Sequence, residues 1–493
     1  MFEAAELDHK VDKAAYREEE AELRRALLQA QRDLGAQKRF PVLILIAGVE
    51  GAGKGETVHL LNEWMDPRFI EVTGFGLPTE EEQAHPPMWR FWRALPPKGR
   101  IGVFFGAWQT MPILERVLGH LGKGGFAARM EEIMRLERML AQEGVLLIKY
   151  WFHLSKAQQK KRIRSLEKDK GTSWKVTNYD RKLLEHYDDF IEVCEPFLRE
   201  TSTGEAPWTI VPAADERYRA LFVGRHLLST LRGRLDAKPE PKRAAPAAPP
   251  APPDRVNVLR ALTLKQEMSR DAYDKALAEA QGRLARATRH KRYGETSLIA
   301  VFEGNDAAGK GGAIRRLGAA LDPRAYRIVP VAAPTEEERA QPYLWRFWRH
   351  MPRPGRVTVF DRSWYGRVLV ERVEGFAPEP DWRRAYAEIN DFEEQLVAHG
   401  AVVAKFWLAI SKEEQHRRFK EREATAFKQH KITEEDWRNR EKWDAYEAAV
   451  CEMVERTSTG IAPWTLVEAD NKLHARVKVI ATLADMLEER LRG

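Results

Sequence analysis

Two short stretches hold residues whose types and spacing suit one kind of chemistry. One is G-N-D-A-A-G-K-G-G, residues 304–312; the other is D-R-S-W-Y-G-R, residues 361–367. They contribute an ammonium (Lys310), two carboxylates (Asp306 and Asp361) and two guanidiniums (Arg362 and Arg367), a set fitted to holding and moving phosphate. Gly304, Gly309 and Gly311 let backbone N–H groups approach phosphate oxygens, a following helix adds partial positive charge, and Lys310 supplies a point charge. The pattern G-x-x-x-x-G-K-[ST] is matched through Lys310 but ends in Gly311, where a hydroxyl residue usually helps to hold Mg²⁺. Asp306 can take over that role. Asp361 follows the apolar run Val357–Phe360, the end of a strand where a divalent ion needs a second hard oxygen ligand. Arg362 and Arg367 beside it suit the equatorial oxygens of a transferring phosphoryl group. Taken singly, the glycines could form a plain strand–helix turn and Asp361 could cap a helix; their coincidence favours the phosphate reading.

The elements that must position these groups follow from the pattern around them. Leu298 to Phe302 is a continuous apolar run, a buried strand that breaks into the glycine loop and restarts as a helix near Ala313. The same arrangement occurs twice. P-T-E-E-E appears at 78 and 334, W-R-F-W-R at 89 and 345, T-S-T-G at 201 and 457, and A-P-W-T at 206 and 462, each pair 256 apart (334 minus 78). Lys54 and Lys310 share that offset, so the chain is a duplicated and fused domain. Asp236 to Asp254 is rich in proline and alanine and cannot build a core, which makes it a linker between domains at 1–235 and 255–493.

In the first copy, strands are expected at Val42–Ala47, Phe69–Gly74, Ile101–Phe105, Val145–Phe152 and Trp208–Val211. Helices are expected at Lys10–Gln37, Glu56–Trp64, Trp89–Ala94, Glu131–Gln142, Lys156–Glu167 and Tyr179–Leu198. Strands apolar on both faces that alternate with helices indicate an α/β fold with a parallel sheet covered by helices.

The copies differ where the chemistry lies. Phe105 stands at the position of Asp361, Gly106 at that of Arg362, Met111 at that of Arg367, and Glu50 at that of Asp306, although Gly48, Gly53 and Lys54 are kept. The second copy also has a basic stretch, Arg417 to Lys431, containing Arg417, Arg418, Lys420, Arg422, Lys428 and Lys431, followed by Trp437, Trp443 and Tyr446. Such a segment between two helices can close as a lid over a polyanion. The aromatics of W-R-F-W-R, 345–349, fit helix packing better than a base-stacking platform.

Composition narrows the classes. With 43% apolar residues the chain can form globular domains, and a net charge of +7 over 493 residues does not call for nucleic acid. Two cysteines exclude a disulfide framework and fit a reducing compartment. No apolar run approaches the ~18 residues of a membrane span, and the N-terminus does not read as a leader. A cytoplasmic protein without membrane or nucleic-acid partners is expected.

F-E-G-N-D-A-A-G-K-G-G, F-D-R-S-W-Y-G-R-V-L-V-E-R-V, K-I-T-E-E-D-W and A-P-W-T-L-V-E-A-D-N-K together resemble the family 2 polyphosphate kinases. The resemblance covers nearly all of each half and implies two tandem P-loop kinase domains similar to thymidylate kinase, each with a helical lid. The tandem layout, and Gly366 after the Trp-Tyr pair, resemble the branch that moves a phosphoryl group from inorganic polyphosphate to AMP, giving ADP. By position, the family's loop aspartate and lysine fall on Asp306 and Lys310. Its Mg²⁺-binding aspartate falls on Asp361, its neighbouring arginine on Arg362 and a lid arginine on Arg422. Gly304, Gly309, Lys310, Gly311, Lys428 and Lys431 are then the phosphate-binding set, with Asp306 and Asp361 the ligands of Mg²⁺, for which Mn²⁺ could substitute. His430 departs from the tryptophan common in the family before the lid lysine. Catalysis is expected in the second domain, with the first serving packing, oligomer formation or polyphosphate guidance. A homo-oligomer is expected. An ATP-dependent nucleoside monophosphate kinase, or transfer from polyphosphate to ADP, is the alternative.

Overall fold

A computed structural model of the protein describes residues 1–238, 257–424 and 434–492. The chain divides into two compact units: Met1–Thr79, Arg90–Glu240 and Pro334–Trp345 form the first, and Glu80–Trp89, Pro241–Ala333 and Arg346–Gly493 the second. The division follows the two repeats except that a short stretch of each groups with the unit formed by the other. The expected linker, 236–254, falls mostly outside the described residues.

The first unit holds a five-stranded sheet of β1 (Val42–Gly48), β2 (Ile70–Gly74), β3 (Ile101–Phe105), β4 (Leu146–His153) and β5 (Trp208–Pro212), in the order β2-β3-β1-β4-β5. The second holds β6 (Ser297–Gly304), β7 (Tyr326–Pro330), β8 (Val357–Asp361), β9 (Ala401–Ala409) and β10 (Trp464–Glu468), in the corresponding order β7-β8-β6-β9-β10. Every pairing is parallel. β1 and β6 are central and buried on both faces, which is why their sequences show no alternation. The edge strands β2 and β7 are partly exposed and polar.

On one face of the first sheet, helices Lys13–Gln37 and Glu216–Asp236 bury Leu27, Leu34, Leu227 and Leu231 against β1 and β4. In the second unit Arg270–Ala287 and Lys472–Arg492 do the same with Leu284, Leu483 and Leu487. Each fully buried leucine contributes about 1.5–3 kcal/mol. Asp12 and Ser269 cap the entry helices by accepting from backbone N–H groups two or three residues on. Phe347 and Trp348 are each 1% exposed, so the aromatics of the repeated W-R-F-W-R string are core residues, as expected.

Strand positions match the expectations to within a residue or so at each end. The helices differ more. The loop helix begins at Lys310, three residues before Ala313, because Gly309 takes φ +110 as its N-cap and lets the helix start at once. The run Tyr179–Leu198 is two helices, Asn178–Glu185 and Tyr187–Thr201, and the helix expected from Glu131 begins at Lys123, through Gly124 and Gly125. The long C-terminal helix of each unit was not expected; its pattern is mixed because much of its surface is buried.

Candidate functional site

β6 delivers the glycine loop at the centre of the second sheet. Gly304 has φ +151, and a Cβ there would lie 2.6 Å from the Leu408 carbonyl oxygen of neighbouring β9, so only glycine fits. A Cβ on Gly309 or Gly311 would meet nothing within 4 Å; there the protein itself leaves space above the loop. Lys310 opens the helix, and its Nζ donates to the carbonyl oxygens of Gly304 (2.7 Å) and Asn305 (3.4 Å), which holds the ammonium over the loop. Burial pulls its pKa below the usual lysine value, against the opposing charges of Asp306, Asp361 and Glu303.

β8 pairs beside β6 with Asp361 opposite Phe302, so the strand-end aspartate emerges next to the loop. Arg362 then turns back with φ +64 and donates from Nη2 to Asp306 Oδ1 at 3.3 Å. Ala307 in the loop also has φ +64. Two non-glycine residues in the left-handed region cost of order 1 kcal/mol or more each, and such strain gathers at functional sites. The other oxygen of Asp306 accepts from Asn439 Nδ2 at 3.0 Å, and its carbonyl accepts from Gln415 Nε2 at 3.2 Å.

The sequence reading missed several members of this site. Glu303, 5% exposed, accepts from the Ser363 hydroxyl at 2.8 Å; burial raises its pKa against that hydrogen bond and the charges of Lys310 and Arg362. Its repeat counterpart is Ala47, and that of Ser363 is Ala107, a contrast available from the sequence alone. Arg418, read as part of a basic stretch, is 2% exposed and donates to the carbonyls of Ala307, Ala308, Ala469 and Asp470, tying the loop to the end of β10. Asn439 had no signal beyond its place near the aromatics.

Arg367 pairs with Glu371 at 2.9 Å and lies 3.8 Å from Asp381, so its guanidinium is engaged with those carboxylates. Arg422 lies in the last turn of the helix Lys412–Glu423, where Arg417 pairs with Glu414 and Lys420 with Glu423. Lys428, His430 and Lys431 lie outside the described residues. Trp437 packs on Phe419, its ring centroid 5.1 Å away.

A cavity is lined by Glu303, Asp306 and Arg362 on its polar side and by Leu369, Val370, Trp443 and Tyr446 on its apolar side. Among the described residues, no group of three or more His, Cys, Asp or Glu is placed to hold a metal ion. The donor set still fits Mg²⁺, which binds through one or two carboxylates and completes its shell with water and substrate phosphate. Asp306 on the loop and Asp361 at the end of neighbouring β8 would be those carboxylates, beside a loop with open space at Gly309 and Gly311.

The first unit shows the same backbone with different chemistry. Lys54 Nζ donates to the Gly48 carbonyl (2.8 Å) but also pairs with Glu50 at 2.9 Å. Glu56, at the position of Gly312, accepts from Arg162 and Arg219 at 2.8 Å each. Gly106 keeps the left-handed turn at φ +80, and a Cβ on it would lie 2.7 Å from the Phe75 carbonyl oxygen.

The family model described as Polyphosphate kinase 2 (PPK2) matches residues 10–239 and 267–492, once per repeat. Over 489 residues the chain is 59% identical to the polyphosphate:AMP phosphotransferase of Pseudomonas aeruginosa, covering 99% of each. It is 53% identical over 491 residues to the polyphosphate:AMP phosphotransferase of Pseudomonas syringae pv. tomato, covering 99% of this chain and 98% of that one. A solved structure described as a polyphosphate kinase 2 from Pseudomonas aeruginosa PA01 superposes with a TM-score of 0.90 at 56% identity, covering 100% of this chain and 99% of the other.

Proposed function

The chain belongs to the polyphosphate kinase 2 family, and on that footing we propose that it transfers a phosphoryl group from inorganic polyphosphate to AMP, forming ADP, with Mg²⁺ and with catalysis in the second unit. What supports the division of labour is that Asp306 and Arg362 line one cavity there, with Lys310 held over the same loop and Asp361 at the end of β8 beside it, set against Phe105, Gly106 and a Lys54 paired with Glu50 in the first unit.

The AMP phosphate oxygen is already anionic near neutral pH, so no general base is needed; the work is alignment and charge neutralisation. The backbone N–H groups at the start of the Lys310–Ala320 helix receive phosphate oxygens, and Lys310 is held over them by the Gly304 carbonyl. Arg362, tied to Asp306, is aimed at the transferring group, where a planar guanidinium spans two oxygens. Asp306 and Asp361 would hold Mg²⁺, which when bound supplies positive charge to the phosphate oxygens. Leu369, Val370, Trp443 and Tyr446 form an apolar wall that excludes water from the reacting phosphates. Because the donor is a polyanion, binding is expected to weaken with salt through counterion release.

The test is donor and acceptor profiling of the full chain. Polyphosphate with AMP is expected to give ADP. ATP serving equally well as donor, or ADP being the preferred acceptor, would displace this reading.

A further inference from the structure

Glu374 closes the short helix Val370–Val373, and its carboxylate is only 4% exposed. It takes Lys442 Nζ at 2.8 Å, Arg438 Nε at 3.2 Å and the Tyr446 hydroxyl at 3.4 Å. A buried carboxylate costs several kcal/mol unless it is paired, and here the pairing cations come from the corner between helices Glu434–Glu441 and Trp443–Thr457. Both sides of this clasp belong to the cavity: Leu369 and Val370 from one, Asn439, Trp443 and Tyr446 from the other. At the tip of the corner, Asn439 donates to Asp306 Oδ2 at 3.0 Å while its own carbonyl oxygen accepts from Tyr446 at 3.3 Å. The single Tyr446 hydroxyl proton is shared between Glu374 and Asn439 as a three-centre bond, and through it Glu374 is linked to Asn439 and so to the loop aspartate.

The repeat distinguishes this path from ordinary scaffolding. The counterparts of Glu374, Arg438, Asn439, Lys442 and Tyr446 are Leu118, Lys182, Leu183, His186 and Phe190. At these five positions of the first unit no carboxylate, amide or phenol remains, and Leu118 is 43% exposed where the Glu374 side chain is 4% exposed. By contrast Gln159, the counterpart of Gln415, still donates to the carbonyl of Glu50 at 3.0 Å, so the backbone support of the loop is kept in both units. The Glu374 path is lost together with Asp361 and Arg362.

We propose that Glu374 is a positioning residue for the transferase. It fixes the 434–446 corner across the cavity, and Asn439 in turn sets the Asp306 carboxylate. The inference rests on the second unit being the transferase.

Four full-length variants test it: Glu374→Leu and Asn439→Leu, which import the first unit's residues, the isosteric Glu374→Gln, and the Glu374→Leu/Asn439→Leu pair. Amide hydrogen exchange over 434–446 in the substrate-free protein is expected to speed up about tenfold or more in Glu374→Leu, with exchange in β6 and β9 unchanged. Turnover with polyphosphate and AMP is expected to fall about tenfold or more in each Leu variant and in Glu374→Gln. The double variant should be no slower than the worse single one, since both act through one path. Unchanged exchange at 434–446, multiplicative losses in the double variant, or slower turnover accompanied by equally faster exchange in the central strands would each overturn the proposal. Exchange reads the clasp without any reaction, so wild-type protein that fails to make ADP would sink the assigned function and leave that result standing.

Discussion

The two units keep different things at equivalent places. Beneath each sheet lies a buried lysine–glutamate pair. Lys149 meets Glu137 at 2.6 Å and the Thr201 carbonyl at 2.8 Å, while Lys405 meets Glu393 at 2.7 Å and the Thr457 carbonyl at 2.6 Å. Trp108 and Trp364 each donate to the glutamate of their pair at 3.0 Å. These groups are inaccessible and do no chemistry, yet both copies retain them. A few residues away Asp361, Arg362, Glu303 and Ser363 have become Phe105, Gly106, Ala47 and Ala107. A buried charge cannot lose its partner without an unpaired ion in the core, whereas a site residue can be lost with little harm to the fold. Selection for folding and selection for transfer thus act on separable residues.

The sharpest way to break this comparison is Asp361→Ala beside Lys54→Ala in the full chain. The first is expected to lower turnover by about a thousandfold, the second by less than about twofold, measured as ADP formed from polyphosphate and AMP. Comparable losses from both would end the division of labour. Next in size, Glu137→Gln and Glu393→Gln should each lower stability by about 3 kcal/mol in denaturant unfolding, because each strands a buried ammonium. The Glu137 change should cost at least as much, since Lys405 retains the Tyr365 hydroxyl at 2.9 Å. Arg362→Gly, which imports the first unit's residue, should cut turnover about a hundredfold yet change stability by less than about 1 kcal/mol: the strain relieved offsets the freedom gained by the unfolded chain. The smallest effect on turnover, none, is expected from Glu56→Gly, although stability should fall by about 3 kcal/mol in denaturant unfolding as the buried Arg219 loses its carboxylate.

How much of this was legible depended on whether a residue acts locally. The duplication, both five-stranded sheets and the pairing of glycine loop with strand-end aspartate follow from runs of a few residues, and periodicity reports these directly. Glu303 was hidden because it belongs to an apolar strand and its burial depends on the third dimension. Asn439 reaches Asp306 only because the chain returns after 133 residues, a juxtaposition no local pattern encodes. Arg418 looked like one cation among several; that it turns inward to loop carbonyls while Arg417 stays on the surface is decided by which side of the helix faces the loop.

On the proposed division of labour, the turn at Gly106 makes the absence of an arginine from the first unit hard to reverse. A side chain there would collide with the Phe75 backbone, so an arginine could return only after the segment beyond β2 had withdrawn. Drift from arginine to glycine needs one substitution, while the way back needs a rearranged main chain as well. On that reading the N-terminal half of the fusion is a one-way branch, free to acquire a different trade.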